Sequence, residues 1–161
     1  MPKSLWVFGA NPEKAASKVA INAFMSGGLF VVLTLIWLIS PHKFSELIIT
    51  QLVLAIPLLF ISSLAYTKIG YQKDNELWDT FAWHTNTIAN AFTLNLVGLI
   101  VADEYASLAL MYFALVIMLF LTYSIINITL NFHNWSQKIY KFCFFVALIL
   151  FFGLLPIIFK L

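Results

Sequence analysis

The sequence contains no arginine, one cysteine and few charges of either sign: nine Lys, seven Asp or Glu and three His in 161 residues. Each shortage excludes something. Without Arg there are no bidentate clamps for phosphate or carboxylate, and a few dispersed Lys leave no nucleic-acid footprint. The lone Cys143 can form no intrachain disulfide and supports no paired-thiol redox chemistry. There is no H-E-x-x-H, no G-x-S-x-G and no glycine-rich phosphate loop, so a self-contained active site is not expected. The chain is therefore read as a non-enzyme with no resident metal or cofactor. A soluble domain carries about 25% charged residues; here the share is 10%, with 62% apolar.

What the sequence does contain is five long apolar stretches, at about 19–40, 46–67, 80–102, 107–131 and 141–160. Each matches about 30 Å of hydrocarbon at a rise of about 1.5 Å per residue. Between their end residues they hold no Asp, Glu, Lys or Arg. The expected fold is all-α: a polytopic bundle of five transmembrane helices forming one transmembrane domain over residues 1–161. Asn11-Pro12 is a cap-and-first-turn signal ahead of the first span, and the segment Lys73–Asp79 reads as the acid-rich start of a helix lying in the interface. Pro57 and Pro156 are expected to free the carbonyls of Val53 and Phe152.

Lys3, Lys14, Lys18, Lys68, Lys73, Lys138 and Lys141 fall on the amino-terminal side, against Lys43 and Lys160 on the other. That asymmetry places the N-terminus in the cytoplasm and the C-terminus outside. Trp6, Trp78, Trp83 and Trp135 at the inner boundary, with Trp37 and Tyr105 at the outer one, agree with it. Abundant Phe, Ile, Lys and Asn without Arg suggests an AT-rich genome, and the expected location is a bacterial inner (plasma) membrane, multi-pass.

Polar residues single out one span. His84, Asn86, Thr87, Asn90, Thr93 and Asn95 crowd the third, with Thr80, His84, Thr87, Asn95 and Gly98 on one face and Asn86, Asn90 and Thr93 on roughly the opposite one. A helix polar on two faces is expected to be central, and the fifth span, apolar all round, to be peripheral. Tyr123, Asn127, Asn131 and Asn134 form a stripe on the fourth span that needs a partner. Asn22 and Ser26 of the first span lie at the same depth as Ser62, Ser63 and Tyr66 of the second. Gly27 and Gly28, with Ala16, Ala20 and Ala23 before them, would let the first span approach a neighbour closely.

Uncharged polar groups at membrane depth serve either as interhelical hydrogen bonds or as the lining of a cavity. The expected function is a polar, uncharged pathway or cavity for an ion or small solute, in a homo-oligomeric channel or passive transporter. Its candidate lining is His84, Asn86, Thr87, Asn90, Asn95, Tyr123, Asn127 and Asn131. Asp103 and Glu104 would form an acidic outer mouth, the alternative being a solvated turn. The expected partners are the lipid bilayer and further copies of the chain or other membrane subunits. The rival reading is a non-catalytic integral subunit of a larger membrane complex. A third is a haem or quinone carrier, haem being gripped between His84 and His133.

Overall fold

A computed structural model describes residues 11–39, 43–71, 75–130 and 135–159 of the chain. Its helices are α1 (Pro12–Ile39), α2 (Glu46–Ile69), α3 (Asn75–Ala102), α4 (Ala106–Leu130) and α5 (Trp135–Ile149), continued by a π-helical segment (Leu150–Leu154) and α6 (Leu155–Phe159). Five spans are long and apolar enough to cross a membrane, the last running from Trp135 to Phe159 through the π segment.

The helices begin where local chemistry starts them. The Asn11 side chain accepts from the Lys14 backbone N–H at 3.0 Å, and Pro12 occupies the first helical position, where a missing N–H costs nothing. Ser45 caps α2 in an extended conformation, φ −61° and ψ 151°. Glu46 opens the first turn of α2 and Lys68 closes its last, both complementing the helix dipole. Helix α2 stays continuous through Pro57, which lies on an exposed face. The stretch expected to be the acid-rich start of a helix is continuous with α3 from Asn75 onward, with Glu76 in its first turn. Since α1, α3 and α5 all start before the apolar runs do, Lys18 and Asp79 stand within helices rather than in flanking loops.

By its packing the chain divides into two compact units, Met1–Thr93 and Leu94–Leu161, with α3 contributing to both. In the first unit, α1 and α2 pack as an antiparallel pair. The buried residues of α2 include Ile48, Leu52, Ala55, Leu59, Ser62, Tyr66 and Ile69, whose spacing alternates between four and three. On α1 the buried positions Ala15, Asn22, Leu29 and Ile36 recur every seven residues. This is the heptad period of a left-handed coiled-coil seam. Two polar rungs cross it: Asn22 Nδ2 donates to Ser62 Oγ at 2.7 Å, and Lys18 Nζ donates to the Tyr66 hydroxyl at 2.8 Å. Carried along the seam, this register sets Leu29 level with Ala55 and Ile36 level with Ile48. Ala82 of α3 is fully buried in one cluster with Ala15, Ala65, Tyr66 and Ile69, and Trp78 packs against it.

The small residues of α1 face elsewhere. Ala16, Ala20, Ala23, Gly27 and Gly28 are all exposed, and a Cβ added at either glycine would meet nothing within 4 Å. No described segment of the first unit supplies the close neighbour expected for this face.

In the second unit Phe113 of α4 is the keystone. Its fully buried ring lies against two glycines, so that a Cβ at Gly98 would stand 2.3 Å from its Cε2 and a Cβ at Gly153 2.6 Å from its Cε1. Tyr112 beside it donates to the Leu94 carbonyl at 3.1 Å, tying α4 to the last part of α3. Phe120 of α4 stacks on Phe145 of α5 with ring centroids 3.9 Å apart. The π segment precedes Pro156: the Leu155 N–H reaches back five residues to the Leu150 carbonyl, a local widening at the point where proline supplies no N–H of its own.

Candidate functional site

Helix α3 is the most enclosed of the five spans: 50% of its most apolar stretch is buried, against 17–33% in the others. That agrees with a helix polar on two faces. The fifth span, expected to be peripheral, is 22% buried, and α1 and α4 are less buried still at 17%.

The polar side chains of α3 fall into two groups by what their hydrogen bonds do. The hydroxyls of Thr80, Thr85, Thr87 and Thr93 each donate to the backbone carbonyl four residues earlier, at 2.7 to 3.0 Å. In a low-dielectric interior this is the cheapest way to place a hydroxyl proton. His84 behaves likewise, with Nδ1 at 2.8 Å from the Thr80 carbonyl and its ring set edge-on to Trp83. The protons of Thr87 and the other hydroxyls are thus committed to their own helix.

The asparagines differ. The Oδ1 atoms of Asn86, Asn90 and Asn95 are buried and have no hydrogen-bond partner among the described residues. Asn86 and Asn90, in the first unit, stand one helical turn apart on one face. Asn95, in the second unit, is completely buried, and its Nδ2 donates to the Leu148 carbonyl at 3.3 Å, just before the π segment. Its Oδ1 would lie 2.4 Å from a Cβ at Gly153, so only a glycine hydrogen fits between them. A weak Cα–H···O contact is the most this geometry offers that oxygen. Leaving a buried acceptor unmet costs about 1–3 kcal/mol, so three on one helix is a concentration that bundle stability alone does not explain.

The remaining candidates are placed as follows. Tyr123 is 66% exposed, so the stripe expected on α4 opens outward at that position. Asn127 is half-buried, and its backbone carbonyl accepts from the Lys138 ammonium of α5. Asn131, Asn134 and His133 lie outside the described residues, as does His42. Asp103 and Glu104 form an exposed turn after α3, and it is Tyr105 whose carbonyl accepts the first helical N–H of α4, from Ala109 at 3.0 Å.

One polar group was missed from sequence. Lys18, counted there among the flanking lysines, is half-buried between helices, with Tyr66 wholly buried beneath it and Asp79 of α3 near enough to act on both electrostatically. The heptad relation of Lys18 and Asn22 to Ser62 and Tyr66 was the signal available: both pairs are four apart, so that one polar pairing in an antiparallel hairpin implies the other.

Comparison with protein families, curated proteins and solved structures finds no match.

Proposed function

We propose that the protein is a small multi-pass membrane protein providing a passive, uncharged polar path for an ion or small solute, assembled from several copies and centred on α3. The lysine asymmetry supports a cytoplasmic amino terminus, and the composition, rich in Phe, Ile, Lys and Asn without Arg, favours a bacterial inner membrane. The observation that carries the reading is the set of three buried asparagine oxygens on α3 with no partner among the described residues. Polar groups at membrane depth persist where they line a cavity or bind something, and oxygens already bonded within the bundle would not qualify. Five helices enclose little volume, so a continuous path is easier to build between copies than inside one. No charged side chain occurs from Thr80 to Ala102, which favours passive movement over coupling to a titrating carboxylate.

The same oxygens would also accept donors from a foreign helix, which sustains the second reading, a non-catalytic subunit of a larger complex. Purification in mild detergent separates the two. A homo-oligomer that moves solute in liposomes supports the first, and stoichiometric foreign subunits support the second. Within the first reading, Asn90→Leu abolishes or alters flux while the oligomer elutes unchanged; flux equal to the parent protein refutes it.

A further inference from the structure

We infer that copies of the protein meet head to tail, the Tyr123 hydroxyl of one donating to the Ala23 backbone carbonyl of the next, where Gly27 leaves that carbonyl uncovered. The inference rests on the reading of the protein as an assembly of copies, names the contact that builds it, and is independent of what passes through it.

Its first support is a phenol at an unusual depth. Tyr123 is 66% exposed, and its hydroxyl donates to none of the described residues. Tyrosines at a membrane surface turn the hydroxyl to water. Tyr123 instead stands about 12 Å inside the end of the fourth span, at about 1.5 Å per residue. Side chains tilt toward the start of their helix, which for Tyr123 is toward the membrane centre, so the hydroxyl is carried away from the nearer headgroups. Thr122 and Thr129 beside it donate to carbonyls of their own helix, which a rigid phenol cannot reach. A hydroxyl proton in hydrocarbon without an acceptor is costly, so this one calls for a second protein surface.

The second support is the surface that offers an acceptor. Ala16, Ala20, Ala23 and Gly27 follow one another along one exposed face of α1, and a Cβ at Gly27 would meet nothing within 4 Å. Small residues let a partner helix come close. Gly27 lies about 12 Å inside the start of the first span, and in a chain of alternating spans that start and the end of the fourth share one side of the membrane. Phenol and glycine are therefore level.

The third support is that the molecule already makes this contact once. Tyr112, also on α4, donates to the Leu94 carbonyl at 3.1 Å, and one turn beyond Leu94 stands Gly98, whose missing side chain admits the neighbouring Phe113 ring. Ala23 and Gly27 repeat the spacing of Leu94 and Gly98, again on a helix that crosses the membrane opposite to α4. Leu119 and Ile126, exposed one turn to either side of Tyr123, supply the apolar contacts that flank the bond. A second copy satisfies both faces at once, whereas a foreign helix covering one would leave the other bare. Donor and acceptor faces differ, so the interface closes into a ring or continues as a chain.

The test uses the full-length protein in liposomes, reconstituted from a mixture of isotopically light and heavy chains. A photoreactive benzoylphenylalanine at position 123 is expected to join light chains to heavy ones, with the adduct between Ala16 and Val31. An adduct within one chain, on α4 of the other copy, or on a foreign subunit overturns the inference. Energy transfer between labelled copies reads the affinity. Tyr123→Phe, which removes only the hydroxyl, raises the dissociation constant about three- to fifteenfold, the worth of one interhelical hydrogen bond. Gly27→Leu raises it at least about tenfold while the chain melts as the parent does. An unchanged dissociation constant in either variant overturns the inference and leaves an assembly built on other faces. A protein that stays monomeric at every lipid dilution overturns the inference and the assembled path together.

Discussion

Gly98→Ala puts the packing of the second unit at risk through a single methyl group. The added Cβ would stand 2.3 Å from Phe113 Cε2 and 2.4 Å from Cζ, so the ring must retreat by about 1 Å to restore ordinary contact. It has nowhere to go: on its other edge Cε1 already faces Gly153 at a distance that admits no Cβ. Overpacking of this kind costs about 1–3 kcal/mol. For a chain of this length each kcal/mol lowers the melting temperature by about 2–4 °C, so the expected drop is about 2–12 °C. Thermal unfolding in detergent, followed by circular dichroism or by differential scanning fluorimetry, reads it directly. The clashing atoms are those that leucine lacks, so Gly98→Ala combined with Phe113→Leu should lie closer to Phe113→Leu alone than the two separate losses would place it. A Gly98→Ala protein melting within about 1 °C of the parent, where about 2–12 °C is expected, would show that the ring is not seated between the glycines.

The Asn22–Ser62 rung predicts an asymmetry. Ser62 also donates to the Leu59 carbonyl, so Asn22→Leu leaves it satisfied and costs about 0.6–1.7 kcal/mol, whereas Ser62→Ala strands the buried Asn22 amide and costs about 1–3 kcal/mol; equal losses in the same melting assay would contradict the register. Gly27→Leu and Gly28→Leu should leave the stability of the monomer within about 0.5 kcal/mol, since neither side chain meets a neighbour, and a large loss would place that face of α1 inside the chain. Reporter fusions at Leu161 should show activity only for a reporter that works outside the cytoplasm, and the opposite pattern would invert the proposed topology.

The number of helices and the cap at Asn11 are readable from the sequence because length and local hydrogen bonding determine them. The facing of each helix is not, and the reason is the solvent. Lipid tails are as apolar as a protein core, so the periodicity that marks a buried face in water is nearly absent here. The heptad seam of α2 is hidden among other aliphatic residues, and the exposed glycines of α1 look the same as packed ones. Polar residues keep their signal because both environments penalise them, which is why Asn22 with Ser62, and the asparagines of α3, stand out. Even then the pattern does not distinguish a phenol turned outward, as Tyr123 is, from one turned toward a partner. The π segment stands between a tertiary bond from Asn95 to the Leu148 carbonyl and Pro156, and only the second of these is a local feature.

The polar rungs of the first hairpin have a further consequence for how the chain is made. Every group they join, from Lys18 to Tyr66, is synthesised before α3 begins, so the hairpin can find its alignment without waiting for the rest of the protein. A slip of one heptad would leave Asn22 and Ser62 facing hydrocarbon side chains, a penalty that a purely aliphatic seam would not impose. The first pair of helices can therefore align before α3 is made and offer a surface on which Ala82 and Trp78 of the third then dock.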